Sequence, residues 1–134
     1  MLQIRNVAAL SSAVTIQANG TIPFDTIVAN TNDRTEYVSE SNAIRILQPG
    51  RYQITCIVTG TANSAGALTL KAIADDEDLQ GVYQTVTFGT TADTICVDMP
   101  INVTYAASGF VEIKFAISGQ IAASNINAYV KLIP

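Results

Sequence analysis

The sequence contains no histidine and no tryptophan among its 134 residues. Ser-His-Asp and Cys-His mechanisms both rely on a histidine as general base. The absence of histidine therefore excludes nucleophilic hydrolases of either kind. A carboxylate pair of the type used in glycoside hydrolysis stays open, but the acidic residues fall mainly in expected loops, at Asp33, Glu36, 75–78 and Asp93. We therefore expect a protein that is not an enzyme and that needs no cofactor.

Charge is also scarce, because charged residues make up 13% of the chain, against about 25% in ordinary soluble domains. The longest charge-free runs, 6–24 and 52–70, are broken by Asn, Gln, Ser, Thr and Gly. Neither run offers the ~20 consecutive apolar residues of a spanning helix, so we expect no membrane association. With 49% hydrophobic residues, the composition instead indicates an apolar surface buried against other subunits.

Basic residues number 7 against 11 acidic ones, and they form no cluster. Binding to a phosphate backbone needs several cations on one face, so we expect no nucleic-acid partner. The N-terminal 17 residues contain one basic residue and a diluted apolar stretch, which does not fit a cleaved signal peptide. Two cysteines are too few for a disulfide scaffold and lack the paired spacing of a zinc site.

The dominant period in the sequence is two, which is typical of half-buried β-strands. In the segment 50–60, for example, Tyr52, Ile54, Cys56 and Val58 alternate with mostly polar neighbours. No segment shows a sustained helical period, so we expect one all-β domain over 1–134, a two-sheet antiparallel sandwich or barrel. The strands predicted in this way are 50–60, 67–74, 82–88, 94–105, 110–118 and 125–133.

The segment 19–33 combines apolar residues with Pro23 and a frame of Asn, Gly, Thr and Asp. Proline cannot donate a hydrogen bond to a sheet ladder, so it belongs at a strand edge or a bulge. We interpret Ile22 to Asp25 as an extended edge piece that leads into a loop at 30–33. This segment is expected to wrap the rim of the sandwich.

A family resemblance rests on the order of short motifs: Ile-Pro-Phe-Asp at 22–25, an Asn-rich loop, Ile-Arg-Ile at 44–46, and Pro-Gly-Arg-Tyr-Gln-Ile at 49–54. Over residues 13–134 this order resembles the jelly roll of tumour necrosis factor and of complement globular heads. It is most similar to the bacterial and phage branch, found in spore-surface collagen-like glycoproteins and phage head-fibre or tail proteins. There a Pro-Gly-x-Tyr-x-Ile turn opens a central strand.

The resemblance implies a TNF-like jelly roll of about ten strands that assembles as a homotrimer around a threefold axis. Its role would be structural, on a virion surface, as a head fibre, capsid decoration or small tail-associated protein that contacts other virion proteins. The alternative is a carbohydrate- or receptor-binding adhesin head, with a glycan as partner, on a phage, bacterial or spore surface. No collagen-like Gly-x-y stalk precedes the domain, which speaks against the spore-surface role.

Two groups of residues are candidate sites. The acidic run Asp75, Asp76, Glu77 and Asp78 could supply oxygen ligands for calcium, although its spacing does not match a dedicated calcium loop and favours a solvated turn between two strands. The second group follows from parity: with Tyr52 and its neighbours in the core, the opposite face carries Gln53, Thr55 and Ile57. Together with Tyr129, these residues are our predicted trimer interface.

The sequence also predicts the state of the two cysteines and the role of the five tyrosines. Cys56 shares its parity with core residues, whereas Cys96 lies on the opposite parity to Ile95, Val97 and Met99. The resemblance places the two strands side by side, but side chains on opposite faces of a sheet cannot form a disulfide. We therefore expect two free thiols. Five tyrosines could stack on carbohydrate, but they are scattered, which favours packing roles for most of them: Tyr37, Tyr52, Tyr83, Tyr105 and Tyr129.

Overall fold

β-Strands dominate the computed structural model, which describes residues 1–31, 33–104 and 109–134. Eleven strands and one short helix lie in this part of the chain. They are β1 (Leu2–Arg5), α1 (Ala8–Ser11), β2 (Val14–Ile16), β3 (Thr26–Asn30), β4 (Thr35–Val38), β5 (Ala43–Ile46), β6 (Gly50–Ala62), β7 (Gly66–Ala74), β8 (Glu77–Phe88), β9 (Asp93–Val103), β10 (Val111–Ile117) and β11 (Ile121–Leu132). Within the same ranges, no helix has the length and apolar character to cross a membrane.

The strands form two antiparallel sheets. One sheet has six strands in the order β3-β1-β11-β6-β9, with β2 also paired to β11, and the other has five in the order β4-β5-β10-β7-β8. Most neighbours in these sheets are distant in sequence, as in a jelly roll. The predicted all-β, two-sheet jelly-roll sandwich is confirmed, with one strand more than the ten expected.

The core lies between the two sheets and consists of the alternate residues that the period-two pattern selects. In β6, Tyr52, Ile54, Cys56 and Val58 are at most 1% exposed. Val58 and its neighbours face a second apolar layer from β7 and β10, formed by Leu68, Leu70, Ala72, Ile113, Phe115 and Ile117. The face assignment for these strands is therefore confirmed.

The N-terminus contributes more than expected to the fold. Strand β1 lies between β3 and β11, and its residues Leu2 and Ile4 are fully buried. The jelly roll thus includes β1, which lies ahead of the segment 13–134 that carries the family resemblance. Helix α1 is only four residues long, which is too short to produce a helical period in the sequence.

The segment 19–33 connects the two sheets. Thr21 forms a bridge to Ala116 in β10, and the N–H of Ile22 donates to the carbonyl of Phe115 at 2.8 Å. Ile22 and Phe24 are buried, so the expectation that this piece stays on the rim is wrong for them: their side chains fill the core. The edge position is correct for β3, which ends its sheet. Asn30 belongs to β3, and Asn32 of the expected loop lies outside the described residues.

Strand β9 departs from its predicted pattern at Met99. Ile95 and Val97 face the core as expected, but Met99 on the same side is 36% exposed. β9 is the last strand of its sheet, so Met99 has a neighbouring strand on one side only. Tyr105, which the sequence placed at the end of this pattern, lies outside the described residues.

Candidate assembly interface

The four predicted interface residues lie together on the outer face of the six-stranded sheet. Gln53, Thr55 and Ile57 point away from the core and are half-buried, and Tyr129 in β11 is the register partner of Thr55. We call this surface, centred on these four residues, the assembly face. Parity alone was enough to predict it, since the alternate residues of β6 are in the core. Its role as an interface between subunits stays a prediction.

A hydrogen-bonded carboxylate, which sequence reasoning missed as a site residue, lies within the assembly face. Asp98 of β9 is the register partner of Thr55. Its Oδ1 accepts hydrogen bonds from Gln53 Nε2 at 2.6 Å and from Thr55 Oγ1 at 2.8 Å. These two bonds, helped by the positive charge of Lys131 and opposed by desolvation, lower the pKa of Asp98. Its outward parity could have suggested this position, but its partners depend on the register of β6 against β9.

An open groove of about 450 Å³ runs across the assembly face. Gln3 in β1 donates from Nε2 to Tyr129 Oη at 3.4 Å, so the Tyr129 ring is held beside the groove. The groove therefore presents an aromatic side chain, Tyr129, and the charged groups of Asp98 and Lys131 to a binding partner. Its lining consists of Met1, Gln53, Thr55, Asp98, Tyr129, Lys131 and Ile133.

Arg5 is the second notable polar residue of this face. It pairs in register with Asn127, which is 8% exposed and donates from Nδ2 to Asn125 Oδ1 at 2.8 Å. The Nε of Arg5 is buried and has no hydrogen-bond partner among the described residues. A buried donor without an acceptor destabilises a structure by about 1–3 kcal/mol. An acceptor from another molecule would relieve this deficit.

Exposed apolar side chains are distributed very unevenly between the two sheets. Among the described residues, eight large hydrophobic side chains are exposed, and seven belong to the six-stranded sheet, to the residues that flank β1, or to helix α1. Only Tyr83 belongs to the five-stranded sheet. The seven are Met1, Val7, Leu10, Ile27, Val28, Met99 and Leu132. Ile27 and Val28 lie in one edge strand of this sheet, and Met99 lies in the other.

The two cysteines are free, as expected. Cys56 is fully buried in the core and pairs in register with Val97, whereas Cys96 is exposed on the assembly face opposite Ile57. The expectation that they lie in neighbouring strands on opposite faces is confirmed. Burial strongly raises the pKa of the Cys56 thiol, so it behaves as an inert apolar group. Desolvation and the nearby Asp98 carboxylate raise the pKa of Cys96.

The acidic run is a hairpin turn followed by the start of a strand. Asp75 and Asp76 have φ of 49° and 68° and form the two-residue connection between β7 and β8. Asp75 Oδ1 accepts a hydrogen bond from the Glu112 N–H at 3.0 Å, while Asp78 Oδ2 lies 3.0 Å from Lys71 Nζ. In the part of the chain described, no group of three or more His, Cys, Asp or Glu side chains could hold a metal. Calcium binding by Asp75, Asp76, Glu77 and Asp78 stays a prediction that the sequence disfavours.

The tyrosines mostly support the fold. Tyr52 is buried and donates to the Gln48 carbonyl at 2.8 Å. Tyr37 donates to the Phe24 carbonyl at 2.8 Å and packs edge-on against the Phe24 ring. Tyr83 is different, because 58% of it is exposed.

No family model and no curated protein matches the sequence, but the fold matches solved structures over almost its whole length. Vertex protein P5 of PRD1 is similar with a TM-score of 0.65 and 19% identity, over 99% of this chain and 96% of that one. Murine APRIL, in a crystal structure at pH 5.0, is similar with a TM-score of 0.69 and 12% identity, over 98% and 97%. At such identities the likeness shows the fold, and the expected TNF-like jelly roll is confirmed.

Proposed function

We propose that this chain is a non-enzymatic structural subunit of a virion surface, which assembles as a homotrimer through the assembly face and docks on other virion proteins. One observation carries the assembly part: seven of the eight exposed large hydrophobic side chains lie on or beside the six-stranded sheet. Large apolar patches are rare on monomers and mark interaction surfaces. The virion setting is supported by likeness, over nearly the full length of both chains, to a protein described as a vertex protein.

The positions of these side chains favour a head-to-tail contact. Ile27 and Val28 lie in one edge strand of the sheet and Met99 in the other, so a single subunit offers two different apolar edges with the assembly face between them. A contact between two different surfaces closes into a ring when the rotation per subunit divides a full turn. Three copies would close such a ring here, with on the order of 2,000 Å² or more buried in total.

Polar groups on the assembly face fit burial between subunits. The buried Nε of Arg5 has no partner among the described residues, and a neighbouring subunit would supply an acceptor. The Asp98 carboxylate already accepts two hydrogen bonds from Gln53 and Thr55, which reduces the free energy needed to remove it from water. Ile57 and Tyr129 are the apolar and aromatic anchors that we assign to this interface.

Ile57→Asp tests the assembly directly. A carboxylate at this position would be buried without a partner in each of three copies, at several kcal/mol, roughly, per copy. The matched control is Ile73→Asp, because Ile73 is also half-buried and lies on β7, an internal strand of the five-stranded sheet. We expect light scattering to give a trimer for the wild type and for Ile73→Asp, and a monomer for Ile57→Asp.

A wild-type chain that is a stable monomer at micromolar concentration would refute the proposal. An Ile57→Asp variant that remains trimeric with unchanged melting would show that a different face forms the contact. The virion role is tested separately, since the protein should be present in purified particles in a multiple of three copies. Particles that lack the protein would contradict the virion role and leave the assembly proposal unaffected.

A further inference from the structure

The edge strand β8 contains a wide bulge beside the exposed Tyr83. Lys71 of β7 pairs with Tyr83, and Ile73 pairs with Asp78. Four residues of β8, 79–82, therefore stand opposite the single residue Ala72. Gly81 has φ of 77°, a left-handed conformation that glycine adopts without strain. Bulges of this kind redirect side chains and are frequent next to functional sites.

The bulge creates an open cleft of about 360 Å³ on the outer face of the five-stranded sheet, within the usual size range of ligand pockets. Tyr83, with 58% exposure, and Leu79 provide its apolar surface. Lys71 and Asp78 provide its charges, with 3.0 Å between Nζ and Oδ2. The Thr69 hydroxyl, which shares a 2.8 Å hydrogen bond with Thr85, lies at the same cleft.

These groups match the chemistry of a sugar ring. One face of a pyranose is a row of C–H groups that packs on an aromatic ring, while its hydroxyls each donate and accept hydrogen bonds. A lysine offers donors only and a carboxylate offers acceptors only, so the neighbouring Lys71 and Asp78 can bind two adjacent hydroxyls in a complementary way. The pair has no net charge, which favours an uncharged ligand. We propose that the Tyr83 cleft binds a neutral saccharide.

The cleft is independent of the proposed trimer. Its residues come from β7 and β8 of one chain, on the sheet that does not carry the assembly face. A single subunit therefore contains the whole site. Failure of saccharide binding would leave the assembly proposal untouched, and a monomeric protein would still be expected to bind.

Saturation-transfer NMR with methyl glycosides of glucose, galactose, mannose and N-acetylglucosamine tests the proposal, with glucuronic acid and glucosamine as charged comparisons. We expect millimolar binding of at least one neutral glycoside. Tyr83→Ala should weaken it by about tenfold or more, Tyr83→Phe should keep most of it because the ring remains, and Asp78→Asn should weaken it because one acceptor oxygen is replaced by a donor. Thr87→Ala, which changes an exposed residue of β8 outside the cleft, should bind like the wild type.

Three results would overturn the proposal. The first is the absence of saturation transfer to every neutral glycoside at 10 mM, a concentration of about the Kd expected for a weak single site. The second is binding that Tyr83→Ala leaves unchanged. The third is a preference for the charged sugars, because the neutral Lys71–Asp78 pair would not explain it.

Discussion

Adding a single methyl group at Gly60 should destabilise the fold, and the surrounding backbone makes this the clearest stability prediction of the structure. Gly60 lies in β6 opposite Ala123 of β11, where Ser124 is an extra residue that shifts the register. A Cβ atom at position 60 would lie 2.8 Å from Ala123 Cα and closer still to the Ala122 carbonyl oxygen. Both are backbone atoms, so no side-chain rotation can relieve the overlap. Gly60→Ala must therefore push β6 and β11 apart.

The loss of stability expected for Gly60→Ala follows from the hydrogen-bonded pairing of β6 with β11. Moving the Ala122 and Ala123 backbone strains the pairing of β11 with β6, the strand that carries Tyr52 to Val58 in the core. Overpacking of this kind destabilises by about 1–3 kcal/mol, and we expect the upper half of that range, about 2–3 kcal/mol. With an unfolding entropy near 2.1 cal/mol/K per residue, 2 kcal/mol would lower the Tm of this chain by about 7 °C.

Thermal and urea unfolding of Gly60→Ala and wild type measure the change. Both proteins must be compared at one concentration, because the proposed assembly would make the Tm concentration-dependent. Gly89→Ala is the control, since a Cβ at position 89 meets no atom within 4 Å, and it should be neutral or slightly stabilising. If Gly60→Ala unfolds within about 0.5 kcal/mol of Gly89→Ala, the close approach of β6 and β11 is wrong.

Two further predictions concern the ionisable groups of the six-stranded sheet. Thiol titration of the unfolded, unreduced protein should count two free sulfhydryls per chain, whereas an intrachain bridge would contradict the opposite faces of Cys56 and Cys96. The lowered pKa of Asp98 means that its stabilisation is present above the unfolded pKa and is lost as the pH falls through the folded pKa. Asp98→Asn should therefore show a shallower loss of stability in urea below about pH 4, and an unchanged slope would argue against the hydrogen bonds from Gln53 and Thr55.

The parts of the fold that the sequence predicted are the long strands with a regular period of two. In β6, and in β11 after the register shift at Ser124, the pattern extends over enough residues that the buried and outer faces follow from parity. The same argument correctly separated Cys56 from Cys96. Strand β1, in contrast, has only four residues, too few for the pattern to stand out. Its burial depends on pairing with β11, more than a hundred residues away in the chain.

The parts that were missed depend on contacts between distant segments of the chain. Met99 has the parity of a core residue, yet it is 36% exposed in β9, the last strand of its sheet. Ile22 and Phe24 were expected on the rim, yet they are buried because the segment crosses between the sheets. The Tyr83 cleft depends on the four-residue bulge in β8. None of these features is encoded in local alternation, since each follows from long-range register.

The two sheets present opposite surfaces, and this arrangement bears on how a weak saccharide site would work. The assembly face and the exposed apolar edges lie on the six-stranded sheet, while Tyr83 and its cleft lie on the five-stranded sheet. A trimer built through the first sheet would leave three copies of the cleft free on its outside. Linked sites that engage one surface together bind it 10²- to 10⁴-fold, roughly, more tightly than one site alone. We expect Tyr83→Ala to remove the proposed site and keep the proposed trimer, and Ile57→Asp to do the reverse, so the two variants would assign any loss of surface binding to its cause.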